Sequence, residues 1–176
     1  MATGNRSYNL LSKLFHWVSA IIIIGLIVVG QMMENMEGPE KFELMGLHKS
    51  FGVLILLVLF ARVINRFTNP VDDVAGISAM NAKLAKAGHG LLYLCMILMP
   101  VSGILMSQSG GHGVEMFGLA LPTFVGESEA LGGVAHAVHG LASKALIVLI
   151  LGHAGAALYH HFVLKDATLK RMTHGS

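Results

Sequence analysis

Residues 136–164 read HAVHGLASKALIVLILGHAGAALYHHFVL, an apolar run with histidines at positions 136, 139, 153, 160 and 161. The run is long enough to meet the ~20 residues that cross a hydrocarbon core. Backbone groups cannot stay unpaired in lipid, so a run of this length is expected to be a membrane helix. On that helix His139 and His153 stand fourteen residues apart. This is just under four turns, so both side chains project from nearly the same face, with Cα atoms about 21 Å apart along the axis. The separation suits two stacked macrocycles and is far too long for one metal ion. A mononuclear zinc site would use short helical spacings such as i and i+4.

Three more apolar runs precede it, from about Phe15 to Met33, His48 to Phe67 and Gly88 to Ser107. The four runs absorb a composition that is 54% hydrophobic and only 12% charged, against a usual quarter charged. The reading is all-α: one domain over residues 1–176, an integral membrane four-helix bundle. Pro100 lies inside the third span and is expected to kink it. No strongly basic segment precedes the first run, and Gln31-Met32-Met33-Glu34 follows it where a cleavage site would have small residues. It is therefore read as a retained span and not as a removed signal peptide. Cys95 is the lone cysteine, and no Cys-x-x-Cys-His motif exists. Covalent c-type haem attachment is excluded.

The net charge of +2 matters less than its distribution. Arg6, Lys13, Arg62, Arg66, Lys83, Lys86, Lys165, Lys170 and Arg171 fall at the amino terminus, the second connection and the tail. The first and third connections carry only Lys41 and Lys49, with Glu34, Glu37, Glu40, Glu43, Glu115, Glu127 and Glu129. The positive-inside rule places both termini in the cytoplasm. The third connection, about residues 108–135, is long, rich in glycine and outward. No nucleic-acid partner is expected.

Ten histidines in so apolar a chain require a reason. His16, His48, His89, His139 and His153 fall within or at the ends of spans, where an ionisable side chain is costly and functional by default. One such histidine alone would be as well explained by a bond to a neighbouring backbone carbonyl; five together are not. His153 and His16 share the cytoplasmic level, and His139 and His48 share the outer level. The natural axial pairs for two haems are thus His16 with His153 and His48 with His139. His89 is level with the inner pair and is the rival to His16. Its other roles would be to bond a propionate or line a quinone pocket. Arg62, fourteen residues after His48, would either pair a haem propionate or serve only as a positive-inside residue. Gly30 and Gly103 follow His16 and His89 by the same fourteen residues. They would either admit a flat macrocycle or simply allow close helix packing. His112, His136 and His174 read as solvated or interfacial. His160 and His161 read as interfacial, with His160 also a candidate proton donor beside a quinone.

The pattern resembles the bacterial cytochrome b561 family over nearly the whole chain. The resemblance rests on His16-Trp17, on Leu47-His48-Lys49-Ser50 with Gly52, and on Gly88-His89 with Tyr93. It continues in His139 and His153 and in the tail His160-His161-Phe162, Lys165-Asp166, Thr168-Leu169 and Arg171-Met172. It implies two non-covalent b haems ligated by His16, His48, His139 and His153 in the bacterial inner membrane, with ubiquinone as electron acceptor. Some members are similar to superoxide oxidases, which pass an electron from superoxide through both haems to quinone. Others anchor dehydrogenases and act only as relays. Superoxide would be steered by a positive surface, whereas the outer connections are acidic and only Lys49 offsets them beside His48. That acidic face would suit a basic protein donor. A histidine-lined metal-ion transporter is the remaining reading; a haem spectrum would separate it from the others.

Overall fold

The computed structural model describes residues 7–72 and 77–173. Arg6 and His174 lie outside them. Four long helices dominate: α1 (Leu10–Glu34), α2 (Pro39–Thr68), α3 (Ala79–Ser109) and α4 (Glu129–Tyr159). Each is long and apolar enough to cross a membrane. A π-helical turn, His160–Leu164, continues α4, and a short helix α5 (Lys170–Thr173) closes the described chain.

Side-chain caps extend α1, α3 and α4 beyond their apolar cores. The Asn9 side chain accepts from the Ser12 amide at the start of α1, Ser78 accepts from Asn81 at α3, and Ser128 accepts from Leu131 at α4. Pro39 opens α2, where its missing N–H costs nothing. Large side chains such as Ile21, Phe60, Val148 and Leu151 stay exposed on the outer faces. That is the surface a bilayer covers, and the chain is read as a membrane protein.

The helices run up and down. Asn65, late in α2, meets Asn9 and donates to Ser12 Oγ at 2.7 Å near the start of α1. Lys49, early in α2, reaches Ser107, late in α3. One end of the bundle therefore holds both termini and the second connection; the other holds the first and third connections. Of the described basic residues, Lys13, Arg62, Arg66, Lys83, Lys86, Lys165, Lys170 and Arg171 fall toward the termini end, whereas Lys41 and Lys49 fall toward the other and Lys144 lies mid-helix.

Packing is uneven. α1 lies along α2, α3 lies along α4, and α2 joins the two pairs through α3. The backbones of α1 and α2 hardly meet α4. A slot is left between them, and the histidines face into it. Pro100 is buried within α3, which continues through it to Ser109.

The third connection folds back. Strands β1 (Glu115–Met116) and β2 (Leu119–Ala120) pair antiparallel across Phe117 and Gly118, both at positive φ. That is the backbone of a tight primed hairpin turn. The Ser50 hydroxyl pins it, donating to the Glu115 carbonyl and accepting from the Phe117 amide.

Candidate functional site

Two imidazole pairs lie in the slot. The ring centres of His48 and His139 are 6.4 Å apart, and those of His16 and His153 are 6.1 Å apart. The pairs stand at the two levels that the fourteen-residue step sets on α4. His89 joins the second pair, with its ring 5.3 Å from that of His153. The structure thus brings all five intramembrane histidines into the slot, two at the loop-end level and three at the termini-end level.

The protein fixes the orientation of these rings. His139 Nδ1 donates to the Met99 carbonyl at 3.0 Å, with Ser102 Oγ at 3.1 Å. A carbonyl only accepts, so Nδ1 carries the proton and Nε2 keeps its lone pair, the form of a metal-ligating imidazole. The His48 Nδ1 atom is buried and has no hydrogen-bond partner among the described residues. A Cβ on Gly30 would lie 3.5 Å from His48, and one on Gly103 would lie 3.4 Å from His139. An alanine would fit at either position, and a larger side chain would press on the imidazole.

Arg62 Nη2 lies 3.0 Å from His16 Nδ1, and its guanidinium sits over the Tyr93 ring. Arginine can only donate, so in this contact His16 Nδ1 accepts. Arg62 is more than one of the cations that gather at the termini end, because it reaches His16 at the level of His89 and His153. Lys49 also has a structural duty. Its ammonium donates to Ser107 Oγ at 2.8 Å and faces the Gly113 carbonyl, tying the third connection to α2 beside His48.

At the termini end the tail closes over the slot. Trp17 Nε1 donates to the Met172 carbonyl. Buried Arg171 donates to the Asp72 carbonyl and, like Arg66, lies over the Tyr8 ring. His160 is held by Asp166, with Nδ1 to Oδ2 at 2.5 Å, and Thr168 steadies the same carboxylate through its amide. His160 is thus a tethered side chain and not one that merely reaches for headgroups. His161 also differs from an interfacial residue, because its Nδ1 is buried and has no hydrogen-bond partner among the described residues. The sequence carried no sign of either arrangement, since both depend on the π-helical turn. His112 and His136 are exposed, as expected of surface residues. Among the described residues no cluster of three histidines, cysteines or carboxylates is arranged to hold a bare metal ion.

The family profile described as prokaryotic cytochrome b561 matches residues 7–175. The chain is 35% identical to "Cytochrome b561 homolog 2" of Escherichia coli (strain K12) over 175 residues, covering 94% of this chain and 90% of that protein. It is 30% identical to "Probable superoxide oxidase CybB" of Yersinia pestis over 173 residues, covering 96% of each. It is also 30% identical to "Cytochrome b562" of Cereibacter sphaeroides over 176 residues, covering 97% of each. With the four apolar helices and the histidines between them, these matches place the chain in the prokaryotic cytochrome b561 family, as a redox-active membrane protein that binds b-type haem and transfers electrons.

Proposed function

We propose that this chain moves electrons across the bilayer through two b haems, one between His16 and His153 and one between His48 and His139. The observation that carries the reading is the pair of ring separations, 6.1 and 6.4 Å. Each gap would admit one haem held by an imidazole nitrogen from either side. His89 lies nearer to His153, at 5.3 Å, and is assigned a place beside the inner haem and not a bond to it. A haem held by two histidines would supply a one-electron centre for outer-sphere transfer.

The other side chains support this use. The Met99 carbonyl holds His139 in its ligating tautomer. When His16 binds through Nε2, its Nδ1 must carry a proton, so Arg62 is released to offer its donors to a propionate at that level. The basic termini end is cytoplasmic by the positive-inside rule, and the membrane is the bacterial inner membrane. Superoxide gives one electron at the outer end and leaves as oxygen, with Lys49 as the local cation. Two such electrons and two protons convert one ubiquinone to ubiquinol, at a site near His89 and His160. The relative named as a probable superoxide oxidase supports this donor. The acidic outer connections favour a second reading, in which the donor is a basic periplasmic protein or a docked dehydrogenase and the chain is a relay. Stopped-flow mixing of the purified chain with superoxide, with and without ubiquinone, tests the choice. Haem reduction by superoxide and reoxidation by quinone are expected, and no reduction would leave the relay reading.

Pyridine haemochrome assay is expected to give two haems per polypeptide, all extractable by acid–acetone. A single haem, or haem that stays with the protein, would refute the arrangement. Gly103→Ala should be tolerated, because its methyl meets His139 at ordinary contact distance. Gly103→Val should displace that ring and lower outer-haem occupancy roughly tenfold or more, as losses of ligand support do. Haem titration of the two variants checks this.

A further inference from the structure

Lys144 is the central residue of α4, fifteen residues from Glu129 and fifteen from Tyr159. It lies between the levels of His139 and His153, which places it near the bilayer midplane. At 100° per residue it sits about 160° around the helix from both Ala142 and Leu146, two of the residues that α4 buries. Lys144 is exposed, with Leu141 and Val148 exposed beside it, and it makes no hydrogen bond or ion pair among the described residues. A membrane lysine normally faces the bundle interior or a wet cavity and is paired there. This one faces the lipid.

Nothing near it supplies the missing anion. Half a hydrocarbon core is ~15 Å thick, and a lysine stem reaches roughly 6 Å, so a headgroup phosphate is out of range. A second copy cannot help either. Glu43 lies five residues toward the loop end from His48, while Lys144 lies five residues the other way from His139, so in parallel copies they stand about 15 Å apart in depth. The remaining described acids fall nearer still to the ends of the bundle. Gly140, one turn from Lys144, leaves space for another helix to approach.

We propose that the outward face of α4, centred on Lys144, docks a transmembrane helix of a different protein that carries an aspartate or glutamate near the bilayer midplane. The ion pair removes the cost of the isolated cation and fixes the depth at which the partner sits. The surface is separate from the haem slot, so the inference does not depend on the redox reading.

The direct test uses the haem-loaded chain in phosphatidylcholine vesicles with synthetic leucine–alanine transmembrane peptides. The central residue of the peptide is Asp, Leu or Lys, and association is read by energy transfer. The Asp peptide should associate roughly tenfold more tightly than the Leu peptide, within the range of a buried polar pair in lipid. Lys144→Leu should abolish the difference, and Lys144→Glu should reverse it in favour of the Lys peptide, with haem content unchanged. Equal association of the Asp and Leu peptides with the unsubstituted chain would overturn the proposal. In native membranes, a photoreactive residue at position 141 or 148 should capture a protein whose sequenced membrane helix holds a carboxylate. A charge swap between that carboxylate and Lys144 should preserve capture. Capture of lipid or of second copies alone overturns the assignment.

Discussion

Replacing either His48 or His139 by alanine is expected to leave one haem per chain, and the same haem should be lost in both variants. The rings of these residues face each other across 6.4 Å, and neither makes another ring contact among the described residues. His16→Ala and His153→Ala should lose the other haem. The expectation follows from the proposed arrangement, in which α4 would supply one ligand at each level and α1 and α2 one partner each. Low-temperature spectra and haem counts of the four variants should sort into two pairs. The inner level is the more demanding test, because three histidines meet there. His89→Ala should retain both haems, because the proposal pairs His153 with His16 and leaves His89, 5.3 Å from His153, beside the haem. If His89→Ala loses a haem while His16→Ala keeps two, the inner pairing is wrong.

Much of this arrangement was legible in the sequence, for physical reasons. A hydrocarbon core imposes a length, so the four spans stood out as runs. The histidine spacing on α4 set two levels, and the up-and-down order of the spans assigned His48 and His16 to them. Helix ends were less legible: Asn9, Ser78 and Ser128 cap turns that lie beyond the apolar windows. The hairpin at Glu115–Ala120 left no alternating pattern, because its strands are two residues long. Contacts between distant side chains, such as Arg62 with His16 and Lys49 with Ser107, leave no periodic trace at all. Lys144 was hidden for a different reason, since a single cation barely moves the hydropathy of a long apolar window. The π-helical turn turns His160 onto Asp166, and nothing in HHFVL announces it.

That last contact leads to the second large effect. His160→Ala is expected to slow reoxidation of the haems by ubiquinone roughly a hundredfold, the usual scale for losing a general acid, while reduction by the outer donor stays normal. Two turns separate His160 from His153, which puts it about 10 Å further along the axis toward the termini end. Quinone reduction takes up two protons with its two electrons, so a histidine at that level has a use. Asp166 makes His160 the better candidate. Burial alone would raise the Asp166 carboxyl, but hydrogen bonds from His160 and Thr168 outweigh it and hold the group below its ordinary range. With its pKa lowered on folding, the carboxylate keeps its hold on His160 at neutral pH. That hold is lost only as pH falls through the lowered value. Asp166→Asn should therefore slow quinone reoxidation at neutral pH, by less than His160→Ala, and should leave both haems in place. In the unsubstituted chain the rate advantage over Asp166→Asn should shrink as pH falls into the acid range, because protonation of Asp166 then weakens the same tether. His89→Ala should slow reoxidation as well, since its ring lies at the inner level without being needed as a ligand. If His160→Ala and His89→Ala both reoxidise at the unsubstituted rate while Lys49→Ala or His136→Ala is slow, quinone is reduced at the outer end and His160 has no part in it.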